Sequence, residues 1–563
     1  MQVTNVVRTL ARMLLGRPRT LALGGVLAVC WAATPSSVAA IVTYDADSHR
    51  DGLYPTMQHL SPAVVRRGGF GRRFDSELPD HGQVYAQPLL AGGRLVVVTE
   101  KDDVYELGPG TGRVLLSRSL GLSWRPTFAT PRGHFTCRDL YPDVGITSTP
   151  VIDTSGDQGR GVIYLTAKTY APARHGFNRA QYAIYALRLT DLSNLPTFAH
   201  GHPLSLNGIS AQNARSVRFD ATHQLQRPAL LESRGEIYAT FGGICDIPPY
   251  RGWVMGVGAG SGALVGRWVT PTAYGALGAP IWMAGAGPVA DAAGNIFLST
   301  GNGYGAPGHT PTGPRPGNRP PSGLAESVLK LRVAPSGALS VSNFFTPCNA
   351  GALDAVDRDL DSGGVVALPD EFGGPRHRPL LLAGGKSAEL YLLDRRNLGG
   401  VSEGPSTGAC PRGGDAAAGT LNPDGAIWGE TAVWPGAGGR LFVPTQAPGS
   451  SSEGSRGRLV FIEGRLGSLR RVGATGAFWG KGSGSPVVTS IGARSDSAMV
   501  WAVSRGVGPA TLHVYAAVSP GRKPAQLKSF SVNPFTKFAP PGVGNDEIFV
   551  AGAGHVTAFG ILP

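Results

Sequence analysis

The stretch "VDRDLDSGGVVAL", residues 356–368, sets Asp357, Asp359 and Asp361 at alternate positions directly before an apolar run. In extended backbone alternate side chains share a face, so three carboxylates would crowd one surface and repel unless a cation faces them. Such a group is the raw material of a metal or proton-transfer site, or else the solvated mouth of a strand. The chain has no HExxH pair for zinc, no CxxC spacing and no CxxCH for covalent haem, so neither zinc nor haem is expected.

These carboxylates need a frame that brings distant segments together. Gly makes up 82 of 563 residues, roughly twice average usage, and charged residues are 16%, well below the usual quarter. That composition favours turns and strands over long charged helices. Short segments recur: "YAQPLLAGGRLVVVTEKDDVYEL", "TSTPVIDTSGDQGRGVIYLTAKT", "QRPALLESRGEIYATFGG", "GAGPVADAAGNIFLSTGNG", "SGGVVALPDEFGG", "GETAVWPGAGGRLFVPTQ", "GSPVVTSIG" and "FAPPGVGNDEIFVAGAGHVTAF". Each gives a short apolar strand, a turn with Gly, Asp or Asn, and a second aliphatic and aromatic strand. The eight units begin near residues 86, 148, 226, 286, 363, 430, 484 and 539, a spacing that suits four strands per unit. The pattern predicts an all-β, eight-bladed β-propeller over 86–563. The last unit is short, so the segment 41–85 is expected to supply the strand that closes the ring.

The first 40 residues read as a signal peptide: four Arg precede the apolar run "TLALGGVLAVCWAA", and small residues lead to a cleavage point after Ala40. That run is too short to span a bilayer, which needs about 20 residues. Export to the periplasm or beyond is therefore expected, with no integral membrane segment in the mature chain. Removing the four Arg lowers the net charge from +13 to +9. The excess is spread thinly, with no basic helix or aromatic platform, so nucleic acid is not expected as a partner. Cys137, Cys245, Cys348 and Cys410 form an even set in a compartment that permits disulfides. Pairing of Cys137 with Cys245 and of Cys348 with Cys410 is preferred, because each pair belongs to loops of nearby units.

The repeat resembles the pyrroloquinoline quinone (PQQ) repeat of quinoprotein alcohol dehydrogenases and of non-enzymatic outer-membrane assembly propellers. "VMGVGAGSGALVGRW" looks like its final strand and turn, with Trp268 at the position of the tryptophan that staples blades. "IYATFGGICDIPPYRGWVMGV" is similar to the segment that places a glutamate on calcium, and Asp246 matches that glutamate. "IWMAGAGPVADAAGNIFLSTGNGYGAP" is similar to the segment with a tryptophan under the quinone and an asparagine on the metal, matched by Trp282 and Asn302. In "TPCNAGALDAVDRDLDSGGVVAL" Asp359 takes the place of the catalytic base, with Arg358 where the family has tryptophan. In "LLAGGKSAELYLLDRRNLGG" Lys386 matches the lysine that touches a quinone oxygen. The family's adjacent cysteine pair is missing. The resemblance implies PQQ and calcium as cofactors and two functions. One is an extracytoplasmic platform binding an envelope or extracellular protein or a glycan; the other is a PQQ- and calcium-dependent dehydrogenase oxidising a small alcohol or sugar.

Overall fold

The sequence "RLVVV" followed by "DVYEL" shows how a blade is made. β-branched residues favour extended backbone, and the turn between these strands is set by Asp102, whose φ is +61°. Strands Leu89–Ala91, Arg94–Val98, Asp103–Leu107 and Val114–Ser119 pair antiparallel in that order and form blade 1. Its inner strand is buried throughout, whereas its outermost strand alternates between half-buried and exposed residues. The gradient arises because neighbouring blades cover both faces near the axis and splay apart at the rim.

The computed structural model describes residues 42–562 apart from 131–132, 173–177, 271–276, 305–322, 403–409, 448–456, 478 and 506–508. Seven further sheets repeat the pattern of blade 1. Their inner strands are Val151–Asp153, Leu231–Ser233, Val289–Ala290, Val365–Ala367, Ala432–Trp434, Val487–Thr489 and Gly542–Gly544, for blades 2 to 8. The protein is an eight-bladed β-propeller, and residues 38–563 form one compact unit. The expected signal peptide lies outside the described residues. Among the described residues no helix is long and apolar enough to cross a membrane.

The chain ends meet in blade 8. Its outermost strand is Phe70–Glu77, paired antiparallel with His555–Ile561 from Phe70↔Ile561 to Glu77↔His555. Residues upstream of that strand do something the sequence did not suggest. The inner edges of successive blades donate backbone hydrogen bonds to them: Ile152 N–H to Val42 O (2.8 Å), Ala290 to Ser48 (3.2 Å), Ala367 to His49 (2.9 Å), Val433 to Asp51 (2.8 Å) and Val488 to Gly52 (2.8 Å). A propeller's inner strands leave one edge unpaired toward the axis, and this segment satisfies those edges. Arg50, fully buried, locks it in place by donating to Pro288 O, Leu230 O, Tyr44 O and Thr43 Oγ1. The channel is thus filled by the protein's own chain.

Both disulfides form as preferred. Cys137–Cys245 and Cys348–Cys410 have Cα separations of 6.0 and 5.1 Å.

Candidate functional site

The three alternating aspartates do not share the face of a strand, contrary to the expectation from their spacing. Asp357 has φ of +55° and Leu360–Gly363 is a 3₁₀ turn, so the period of two is broken. Asp357 is exposed, while Asp359 and Asp361 point into the protein with different partners. Asp361 accepts Trp282 N–H at 3.0 Å and fixes the backbone that carries the indole. Asp359 accepts Asn302 N–H on Oδ1 at 3.0 Å and meets Lys386 Nζ at 2.5 Å on Oδ2. Lys386 also reaches Asp357 at 3.1 Å, and Asn302 Nδ2 donates to the same Asp357 oxygen at 3.1 Å. The cation that the crowding demanded is therefore Lys386. Gly301 is required here, because a Cβ would stand 2.6 Å from Asp359 Oδ1 and 2.9 Å from Asp361 Oδ1.

Electrostatics follow burial. Desolvation raises the Asp359 carboxyl above its ordinary pKa, although Lys386 pulls the other way. Burial also works against the Lys386 ammonium, but the carboxylates of Asp359 and Asp357 outweigh it and raise its pKa. Asp246 is pushed up to about 6 by desolvation and by the charges of Asp359 and Asp357. Cys245, which lies in the disulfide, and Asp246 both have positive φ (+48°), so the bridge to Cys137 holds a strained turn at the site.

Asp246, Trp282, Asp359 and Lys386 line one cavity of about 200 Å³, with Asn302 bonded just behind Asp359. All five residues singled out in the sequence are brought together. The cavity is also lined by Arg227, Trp428, Lys481, Lys537 and Phe538, none of which the sequence reading found. Trp428 and Phe538 stack at 5.7 Å and 23°, and Trp282 leans on Trp428 at 5.8 Å. Lys386 Nζ and Lys481 Nζ lie 4.9 and 5.3 Å from the Trp428 ring centre, and the Arg227 guanidinium lies 5.7 Å from that of Phe538, within the range of cation–π attraction. A signal for the missed residues exists in the repeat register. Tyr85, Arg227, Asp361, Trp428 and Phe538 each stand four residues before the inner strand of their blade, where the chain turns inward at the same end of the ring.

No family model and no curated protein matches the chain. Among solved structures it is similar to the quinohemoprotein alcohol dehydrogenase of Comamonas testosteroni, with TM-score 0.61 and 14% identity over 93% of this chain and 82% of that one. The fold is that of the quinoprotein alcohol dehydrogenases. A second quinohemoprotein alcohol dehydrogenase, from Pseudomonas putida HK5, gives TM-score 0.55 and 13% identity over 93% and 80% of the two chains. A europium-containing methanol dehydrogenase gives TM-score 0.55 and 12% identity over 93% and 98%.

Calcium takes six to eight oxygens at about 2.3–2.6 Å. Both oxygens of Asp359 are engaged, one by an ammonium group and one by a backbone N–H. Among the described residues only Cys137, Asp139 and Cys245 bring three acidic, histidine or cysteine ligand atoms within 4.8 Å of one another, and those two sulfurs are bonded to each other. With Lys386 where it stands, the site does not fit a calcium ion. The cavity, at about 200 Å³, also falls below the roughly 300 Å³ at which pockets for drug-sized ligands begin. Its walls suit a smaller flat anion.

Proposed function

We propose that this protein is an exported binding propeller whose pocket holds a small flat carboxylate, of the size of one aromatic ring. The observation that carries this reading is the wall of the cavity. Trp282, Trp428 and Phe538 offer ring faces to a flat group; Arg227, Lys481 and Lys537 form a cationic cluster with Asp139 beside it, and Asp246, Asp357 and Asp359 gather around Lys386. Lys386 neutralises part of the acidic group, which keeps a net negative charge. A carboxylate would be drawn to Arg227 and Lys481 and repelled from the aspartates, so the ligand would enter in one orientation. Export is supported by the N-terminal arginines and apolar run and by the two disulfides, which persist in oxidising compartments.

The test is calorimetric titration of the purified protein with phthalate, a planar aromatic dicarboxylate, with tryptophan fluorescence as a second readout. One site per chain is expected, weakened by salt and by Trp428→Ala. The convergence of Asp246, Asn302, Asp359 and Trp282 supports a second reading, a PQQ- and calcium-dependent dehydrogenase acting on an alcohol or sugar, which requires Lys386 to leave Asp359 so that the carboxylate can face an ion. Dye reduction that requires added PQQ and Ca²⁺ would establish that reading and overturn the first.

A further inference from the structure

We infer that Lys537 is a covalent capture site, forming an imine with the carbonyl carbon of a small oxo-carboxylate held in the pocket. The inference rests on the carboxylate-binding reading above and adds a reaction to it. Lys537 lines the cavity beside Phe538, and its backbone carbonyl accepts Arg227 Nη2 at 2.9 Å, which fixes the segment. Gly482 packs against it so closely that a Cβ there would come within 2.6 Å of Lys537 Cβ, and the Lys537 side chain is half-buried. Among the described residues no carboxylate lies within ion-pair distance of Lys537. The charged groups that face it or share its cavity are Arg227, Lys481, Arg505 and Asp139, together with Lys386, Asp246, Asp357 and Asp359.

An amine that is desolvated and set among cations sheds its proton readily and becomes a nucleophile. Burial lowers the Lys537 pKa to about 8, with Asp139 working against it and Arg227, Lys481 and Arg505 adding to it. The amine lone pair attacks the carbonyl carbon, the C–N bond forms, and the carbonyl oxygen takes up a proton. The carbinolamine then loses water to give the C=N bond. One carbonyl and one amine yield one imine and one water, with no oxidant or reductant. The same cations that free the amine would hold the ligand's carboxylate, which selects oxo-carboxylates over neutral aldehydes.

The experiment incubates the full-length protein with phenylglyoxylate and borohydride, which fixes an imine as a stable secondary amine, and locates the adduct by peptide mass spectrometry. One adduct per chain is expected, on Lys537, suppressed by phthalate and rising with pH through a midpoint near 8. Lys537→Arg should lose the adduct while its thermal unfolding midpoint stays near that of the parent, and Lys523→Arg, at an exposed lysine outside the pocket, should keep the adduct. Adducts scattered over surface lysines, or an undiminished adduct in Lys537→Arg, would overturn the inference. Phthalate binding without any adduct would overturn it and leave the pocket reading standing; absence of both would remove the two together.

Discussion

Replacing Lys386 by Met should destabilise the ring strongly at neutral pH and much less in mild acid. Lys386 Nζ lies 2.5 Å from Asp359 Oδ2, and the two side chains are 12% and 5% exposed. At an effective dielectric of about 20 that contact corresponds to roughly 6–7 kcal/mol of attraction, most of it offset by the desolvation of both charges. What the substitution exposes is the remaining penalty of an unpaired buried carboxylate, about 3–5 kcal/mol. The contact to Asp357 adds little, because that side chain is 63% exposed. Asp359 can escape the penalty by taking up a proton, which becomes easier by about 1.4 kcal/mol for each pH unit lowered. Urea unfolding of Lys386→Met and of the parent at pH 7.5 and 5.5 measures the difference. The double variant Lys386→Met/Asp359→Asn should recover most of the loss at pH 7.5. A loss below about 1 kcal/mol that does not change with pH would refute the argument, since that is how a solvated surface pair behaves.

The pH dependence of the parent protein should slope downward from mild acid to neutrality. Asp51, Glu100 and Asp354 are raised to about 7 by burial, against about 4 in the unfolded chain, so the folded state holds more protons between those values. Stability must then fall as pH rises from about 4 to 7. His513, lowered to about 4 by burial, works the other way, losing stability as pH falls from about 6.5 to 4, and His513→Gln should steepen the net slope seen by thermal unfolding. Arg50→Met should strand the four acceptors that its guanidinium satisfies, at about 1–3 kcal/mol for each buried group, and the urea midpoint should collapse. Replacing Cys137 and Cys245 together by Ser should lower stability by up to about 4–5 kcal/mol, because the bridge closes 108 residues of chain. The same change should also weaken phthalate binding, since Cys245 lines the pocket.

The ring was legible because each blade repeats the same short apolar strand, turn and strand, a regularity that no loop insertion erases. The pocket was half legible. Asp246, Trp282, Asn302, Asp359 and Lys386 sit in segments with a family likeness, whereas Trp428 and Phe538 stand in ordinary words of the repeat. They emerge only when inner strands are aligned and the position four residues earlier is compared from blade to blade. The aspartate spacing misled because a period of two has meaning only in extended backbone, and the left-handed Asp357 and the 3₁₀ turn remove it. The channel-filling segment was missed for a related reason. Its sequence, "VTYDADSHRDG", reads as solvated loop, and only tertiary partners make Arg50 and Asp45 buried residues.

The central claim is that aromatic faces and cations around one cavity hold a small flat anion. Calorimetric titration with phthalate tests it most directly, carried out on the parent and on Arg227→Gln at low and high salt. The account predicts one site per chain that weakens at high salt and is lost or sharply weakened in Arg227→Gln. Absence of binding at low salt, or binding that neither Arg227→Gln nor salt diminishes, would contradict it.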